Sequence, residues 1–292
     1  MLHWTPRLAG LPGRPALRRL WRCATLALAL ALPACSALMQ PHQPSGPGAR
    51  PVAVAPGIEY HITSPWQHSR VHLLRIDLRA PGLQLHLSAH EERGRRIDAF
   101  SGTPRAAVSL NASFFDRRYT PRGATVSDGR VWPELLVTNA SPLLACDAAL
   151  RCAVHFDDTT VIDPRWAMAV AGTPWLVRNG RMRSDADDAT CAALCAREHP
   201  RTAAGLAGGG RWLVVVVAEG RRGAVRGITL AQLSAFMAGQ GVQDAINLDG
   251  GGSSTLWLHG RAVMNRPDNE PAERPLANAL HVFSALPHEA AP

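Results

Sequence analysis

Residues 245–256 (Ala-Ile-Asn-Leu-Asp-Gly-Gly-Gly-Ser-Ser-Thr-Leu) constrain the fold more than any other stretch of the chain. An apolar, strand-like approach carries Asn247 and ends at Asp249. Gly250, Gly251 and Gly252 follow, then Ser253, Ser254 and Thr255, then a second strand-like run, Leu256-Trp257-Leu258. Successive glycines let the backbone adopt positive φ and come close to a ligand, with no Cβ in the way. Carboxylate, amide, hydroxyls and bare backbone N–H groups converging on one bend suit a polar ligand such as a sugar or a phosphate.

Three other readings of the bend fail on the residues themselves. A flexible Gly/Ser linker would not be bracketed by two apolar runs or open with Asn-x-Asp. A serine-hydrolase elbow needs G-x-S-x-G, which is absent here. A Walker-type phosphate loop needs a lysine, and the chain has none. The lack of lysine also excludes Schiff-base chemistry.

The formal charge of +8 is concentrated at the start of the chain. Residues 1–34 hold Arg7, Arg14, Arg18, Arg19 and Arg22 and no acid, which leaves +3 for the remainder. That is too mild for a nucleic-acid partner, and no basic run with interleaved aromatics exists. The basic segment leads into the apolar run 24–32, the length of a signal-peptide core and too short to span a bilayer. Leu32-Pro33-Ala34-Cys35 resembles a bacterial lipobox, which implies cleavage before Cys35, a lipid on that cysteine and attachment to a membrane. An ordinary secretory signal with an incidental cysteine is the alternative. Ser36 after the lipid cysteine resembles an outer-membrane sorting signal. Expected boundaries are therefore a lipoprotein leader over 1–34, Cys35 and a Pro/Gly-rich tether over 35–56, and one domain over 57–292. The expected location is the cell envelope, on the periplasmic face of the outer membrane. Cys146, Cys152, Cys191 and Cys195 remain as an even set in an oxidising compartment, and the local pairs 146–152 and 191–195 are expected. A structural zinc site is the competing reading.

Along the chain, Val71–Leu78 and Leu83–Leu87 alternate as strands joined at Pro81-Gly82, with His72 and His86 expected on the outside. A short apolar run leads to Asn111-Ala112-Ser113-Phe114-Phe115-Asp116, another strand ending in Asn and Asp. Asp128-Gly129, Asn179-Gly180 and His259-Gly260 signal hairpins, and residues 161–177 add strand. The acidic stretch 183–199 reads as a disulfide-pinned surface loop or short helix. The valine run 212–218 predicts a strand covered on both faces. A capping box, Thr229 with Gln232, opens a helix burying Leu230, Leu233, Phe236 and Met237, which Gly239 and Gly241 stop. Residues 242–248 then return as a strand. The expected fold class is α+β: mixed, strand-rich sheets with hairpins and a strand–helix–strand unit near the C-terminus.

Asn247–Leu256 resembles the signature of the phosphodiester glycosidase family. Asn111–Asp116, Gly123 with Asp128-Gly129, Gly172–Gly180, the block His199-Pro200-Arg201-Thr202-Ala203-Ala204-Gly205, and Asn265-Arg266-Pro267 agree in order. In one departure, many relatives carry glycine directly after the position of Asn111, where this chain has Ala112 and Ser113. The resemblance implies hydrolysis of a sugar-1-phosphodiester in an envelope or extracellular glycan. The alternative is a non-catalytic glycan-binding or polysaccharide-assembly lipoprotein with the same crevice. Oxocarbenium character at the anomeric carbon calls for a nearby carboxylate: Asp249 first, Asp116 second. Phosphate charge calls for a bidentate cation, and Arg201 is the candidate. Asn111, Thr202, Asn247, the amides of Gly250, Gly251 and Gly252, and the hydroxyls of Ser253 and Ser254 are the expected substrate contacts. Asp249 and Asn247 as turn formers, and Arg201 as a structural ion pair, are the opposing readings. No cofactor is required; a divalent cation on Asp249, Asp116 and Asn oxygens is compatible, though no spacing demands one.

Overall fold

The valine run forms the strand Trp212–Ala218, fourth in an eight-stranded antiparallel sheet. A computed structural model describes residues 50–134, 141–156, 161–188 and 191–285. In spatial order the sheet runs Val52–Ala55, Ile58–Thr63, Val71–Asp77, Trp212–Ala218, Arg201–Ala207, Val242–Leu248, Trp175–Arg178, Arg181–Met182. Its centre is buried on both faces, as an unbroken apolar run requires. Leu213, Val215 and Val217 face a core shared with Ile76, Leu110, Leu248 and Leu280. Val214, Val216 and Ala218 face the helix Leu230–Gly239.

That helix opens as its sequence dictates. Thr229 Oγ1 accepts from the Gln232 amide (3.1 Å), and Gln232 Oε1 accepts from the Thr229 amide (2.9 Å). Leu230, Leu233, Phe236 and Met237 are buried against the sheet, each contributing about 1.5–3 kcal/mol of apolar burial.

Two five-stranded sheets complete the fold. The second runs Arg130–Val131, Thr125–Ser127, Trp166–Ala171, Leu143–Asp147, Cys152–His155; the third runs Arg261–Ala262, Leu256–Leu258, Val108–Asn111, Ala279–Phe283, Gln84–Leu87. All three expected hairpins form, with positive φ at both turn residues of Asp128-Gly129, Asn179-Gly180 and His259-Gly260. That is the chemistry of a two-residue primed turn. Both local disulfides, Cys146–Cys152 and Cys191–Cys195, are formed.

Several expectations are corrected. The fold is mostly β: among the described residues the helices are Leu230–Gly239 and the single turn Ala192–Cys195. Every strand ladder among the described residues is antiparallel; the strand–helix–strand unit exists, but Arg201–Ala207 lies between its two strands. Pro81-Gly82 joins two different sheets. His86 is on the surface, but His72 is fully buried, because its strand is covered on both faces. Val52–Ala55, expected within the tether, pairs as an edge strand with Ile58–Thr63. The leader 1–34, Cys35 and most of the tether lie outside the described residues.

Candidate active site at the glycine bend

The bend is where the chain crosses from the first sheet to the third: Val242–Leu248 ends in one, and Leu256–Leu258 begins in the other. Asn111, at the end of Val108–Asn111, ties the two together. Its Nδ2 donates to the Asp249 carbonyl (2.6 Å), and its Oδ1 accepts from Thr202 Oγ1 (2.9 Å) and the Thr255 amide (3.1 Å). The Asp249 amide donates to the Ala112 carbonyl (3.0 Å). Asn111 and Thr202, at 1% and 0% exposure, are therefore positioning residues. Asn111 and Thr202, expected as substrate contacts, bind each other and the bend in this structure.

The glycines work mainly by permitting close approach. A Cβ on Gly250 would lie 2.8 Å from the Pro200 carbonyl oxygen, and one on Gly251, at φ +62°, 3.3 Å from the Arg221 guanidinium. A Cβ on Gly252 would overlap the Glu270 carboxylate and the Arg274 guanidinium, which pair with each other. Two of the three expected amide donors are used internally: Gly250 N–H donates to Asp249 Oδ1 (2.9 Å) and Gly251 N–H to the Pro200 carbonyl (2.9 Å). Those two amides are corrected from anion donors to loop-closing bonds. Gly252 keeps its amide outside these bonds.

Asp249 is only partly exposed, and its carboxyl lies among protein atoms. Burial pushes its pKa up from 3.8 to about 6; hydrogen bonds from the Ser253 hydroxyl and Gly250 amide, and the charges of Arg274 and Arg122, pull the other way. A carboxyl that titrates near neutrality in a site with cations is a functional signature. Two buried polar atoms of the bend have no partner, Asn247 Oδ1 and Ser254 Oγ. Asn247 Nδ2 donates to the Thr173 carbonyl (2.7 Å).

Arg201 does not pair with Asp249. Adjacent strand residues point to opposite faces. Thr202 faces Asn111, so Arg201 faces the disulfide loop, where its guanidinium donates to the carbonyls of Leu194 (2.7 Å), Arg197 (3.0 Å) and Ile228 (3.3 Å). Arg201→Gln is therefore expected to destabilise the fold by about 2–4 kcal/mol through orphaned carbonyls. In denaturant titration the midpoint falls, while KM of the folded fraction changes less than twofold. A KM rise at unchanged stability would restore the anion-binding role.

Asp116, the second expected carboxylate, sits in a turn of its own. Its Oδ1 accepts from the amides of Arg118 (2.8 Å) and Thr120 (3.0 Å), closing its own turn, and the Thr120 and Arg118 bonds hold its pKa below 3.8. Among the described residues no three His, Cys, Asp or Glu side chains are grouped to hold a metal ion.

The cations that do face the bend carry no local mark as a group in the sequence: Arg221 beside Gly251, Arg274 beside Gly252, and Arg122 near Asp249. Arg221 follows the valine strand directly, in Glu219-Gly220-Arg221, the one local signal available. Glu219 is buried; burial alone would raise its pKa, but bonds from His72 (2.8 Å) and Asn265 (3.1 Å) outweigh that and hold it down. Arg221 Nη2 lies 3.1 Å from His199 Nδ1, and burial, then the nearby charges of Arg201, Arg221 and Arg197, lower the His199 pKa. Glu273, whose pKa burial raises, bonds the Thr255 hydroxyl at the far end of the bend.

The phosphodiester glycosidase family model matches residues 104–283, which take in the whole bend and its flanking strands. The chain is 30% identical over 172 residues to mouse N-acetylglucosamine-1-phosphodiester alpha-N-acetylglucosaminidase, a match covering 52% of this chain and 32% of that protein. It is 28% identical over 191 residues to the SPbeta prophage-derived uncharacterized protein YomE of Bacillus subtilis (strain 168), covering 61% and 28%. The matches thus span about a third of these curated relatives or less. The structure superposes on the catalytic domain of zebrafish N-acetylglucosamine-1-phosphodiester alpha-N-acetylglucosaminidase, auto-inhibited there by its pro-peptide. The TM-score is 0.61 at 21% identity, with 81% of this chain and 87% of that one covered.

Proposed function

Because the chain belongs to the phosphodiester glycosidase family, we propose that it hydrolyses the bond between the anomeric carbon and the phosphate of a sugar-1-phosphodiester, on an envelope or extracellular glycan. The observation that carries this reading is the Asp249 carboxyl, raised to about 6 at a bend flanked by Arg221, Arg274 and Arg122. Three guanidiniums stand at the bend among the carboxylates of Asp249, Glu270 and, at its far end, Glu273, so cations are at hand to meet the single negative charge of a phosphodiester.

In this mechanism the ionised Asp249 stabilises the positive charge that develops at the anomeric carbon, or aligns the water that attacks it. The C–O bond to phosphate breaks and the departing phosphomonoester takes the electron pair, while water forms the new bond to the anomeric carbon and gives up its proton to the Asp249 carboxylate or to solvent. Arg274 and Arg221 stabilise that charge, so a strong general acid is not needed. Asn247 Oδ1 and Ser254 Oγ, buried without partners, are available to sugar hydroxyls or to the attacking water.

Export and a lipid on Cys35 remain part of the proposal. What supports them is the basic leader, its apolar core, the Leu32-Pro33-Ala34-Cys35 sequence and the two disulfides, which belong to an oxidising compartment.

The test is incubation of the purified protein with a panel of nitrophenyl-linked sugar-1-phosphodiesters. Release of free sugar together with nitrophenyl phosphate is the expected result. Saturable binding of the panel with no turnover would convert the reading to a glycan-binding protein.

A further inference from the structure

The third sheet carries a second polar site that the glycine bend does not use. Its central row pairs Ser109, His281 and His86 across three adjacent strands. Ser109 and Asn111 lie on the same sheet face, two residues or roughly 7 Å apart. Beside this row is a cavity of about 350 Å³, lined among others by Gln84, Glu92, Arg105, Asp128, His281 and Phe283. That volume falls at the low end of the range for small-molecule sites, about 300–1,000 Å³. No residue of 245–256 lines it.

His281 is the telling residue. It is 2% exposed, its Nδ1 lies 2.8 Å from Ser109 Oγ, and its Nε2 is buried without a partner. An unpaired ring nitrogen in a protein interior costs free energy unless something meets it. Gly102 lies over the ring, and a Cβ there would come 2.9 Å from Nε2. Burial pushes the His281 pKa to about 4, so the ring is neutral at physiological pH. Whichever tautomer Ser109 selects, Nε2 presents the complementary role; Gly102 covers it here, so a hydroxyl group satisfies it on displacement of that glycine turn.

The rest of the lining has the same mixed character. Glu92, 8% exposed, accepts the Ser101 amide at 2.7 Å, and Asp128 Oδ1 sits 2.7 Å from His86 Nδ1. Arg105 makes no ion pair among the described residues, and Gln84 offers an amide. Phe283 supplies an aromatic surface, with the His86 ring edge-on to it at 5.3 Å. Glu92 is also held by Arg95 at 3.5 Å, so its charge and that of Asp128 are balanced by Arg95 and Arg105, and the lining offers no net charge to an ion. Interleaved donors and acceptors beside an aromatic ring disfavour an apolar ligand.

We propose that this cavity is a saccharide-binding subsite, taking a neutral, polyhydroxylated ring separately from the glycine bend. The inference stands on its own residues and does not depend on the hydrolase reading.

The test is titration of the full chain with methyl glucoside, methyl galactoside, methyl mannoside and N-acetylglucosamine, and with inorganic phosphate, following the His281 ring resonances by NMR. At least one sugar is expected to shift them saturably with millimolar affinity, and phosphate is expected to leave them unmoved. Gln84→Ala with Arg105→Ala, both on exposed residues, should weaken that sugar about tenfold and leave the unfolding midpoint unchanged. The proposal is overturned by no shift with any sugar, by phosphate shifting the ring as strongly, or by sugar binding that survives the double substitution. Hydrolysis of a small nitrophenyl sugar-1-phosphodiester, measured on the same samples, should be equal in wild type and double variant. Its absence in the wild type would count against the hydrolase reading alone.

Discussion

Asp249→Asn is expected to lower kcat/KM for a sugar-1-phosphodiester by about 10³-fold and, at the same time, to make the protein more stable. Both effects come from one cause, a carboxylate held where burial opposes its charge. The folded pKa of about 6 stands above the ordinary value of 3.8, so the folded state binds the proton more tightly than the unfolded chain. Stability from this group is complete below the unfolded pKa and is lost as pH rises through about 6. A rise of that size corresponds to at most about 3 kcal/mol at neutral pH. Asparagine carries no charge, its oxygen can accept the Gly250 bond, and the Ser253 hydroxyl can turn to accept from the amide nitrogen. Denaturant titration should therefore show the variant about 1–3 kcal/mol more stable at about pH 7 and equal to wild type near pH 4. A variant less stable at neutral pH would mean that the carboxylate holds the bend together, as in an ordinary turn.

The second large effect separates two neighbouring glycines. In Gly252→Ala the new methyl meets the ends of two flexible side chains, Glu270 and Arg274, which can swing aside. Folding should survive within about 1 kcal/mol, while displacement of the Arg274 cation should cost about 10²-fold in kcat/KM. In Gly250→Ala the methyl meets the Pro200 carbonyl 2.8 Å away, and backbone cannot swing. That variant should lose about 1–3 kcal/mol of stability together with its activity. Thermal unfolding beside steady-state kinetics separates the cases. Equal destabilisation by both substitutions would show that Gly252, like Gly250, serves backbone packing alone.

The contrast between these glycines also shows what can be read from sequence. The three-glycine bend, the Thr229–Gln232 cap, the hairpin pairs and the local disulfides are short-range features, set by residues within a few positions of each other. The valine run declares itself because a strand buried on both faces needs no alternation. Arg201 and His72 mislead for a shared reason. In a strand, side-chain direction depends on register, and register is fixed by partners distant in the chain: Thr202 meets Asn111, which turns Arg201 to the other face. His72 looks like the polar half of an alternating pattern, but the strand has no wet face at that point, and Glu219 meets the ring instead. Arg221, Arg274 and Arg122 come from three separate segments, and only the folded chain brings them to the bend. Asn111 is legible in the sequence as part of the site, but its role is reversed: the amide grips the Asp249 carbonyl and leaves the substrate to others.

The most direct test of the central claim, that the partly buried Asp249 carboxylate acts at the glycine bend, is the pH dependence of kcat/KM for hydrolysis of a sugar-1-phosphodiester by the wild-type protein. The carboxylate form is the active one, so the rate should fall tenfold per pH unit below an apparent pKa of about 6 and level off above it. A rate unchanged between roughly pH 4 and pH 8, across the range where this carboxyl gives up its proton, would contradict the assignment.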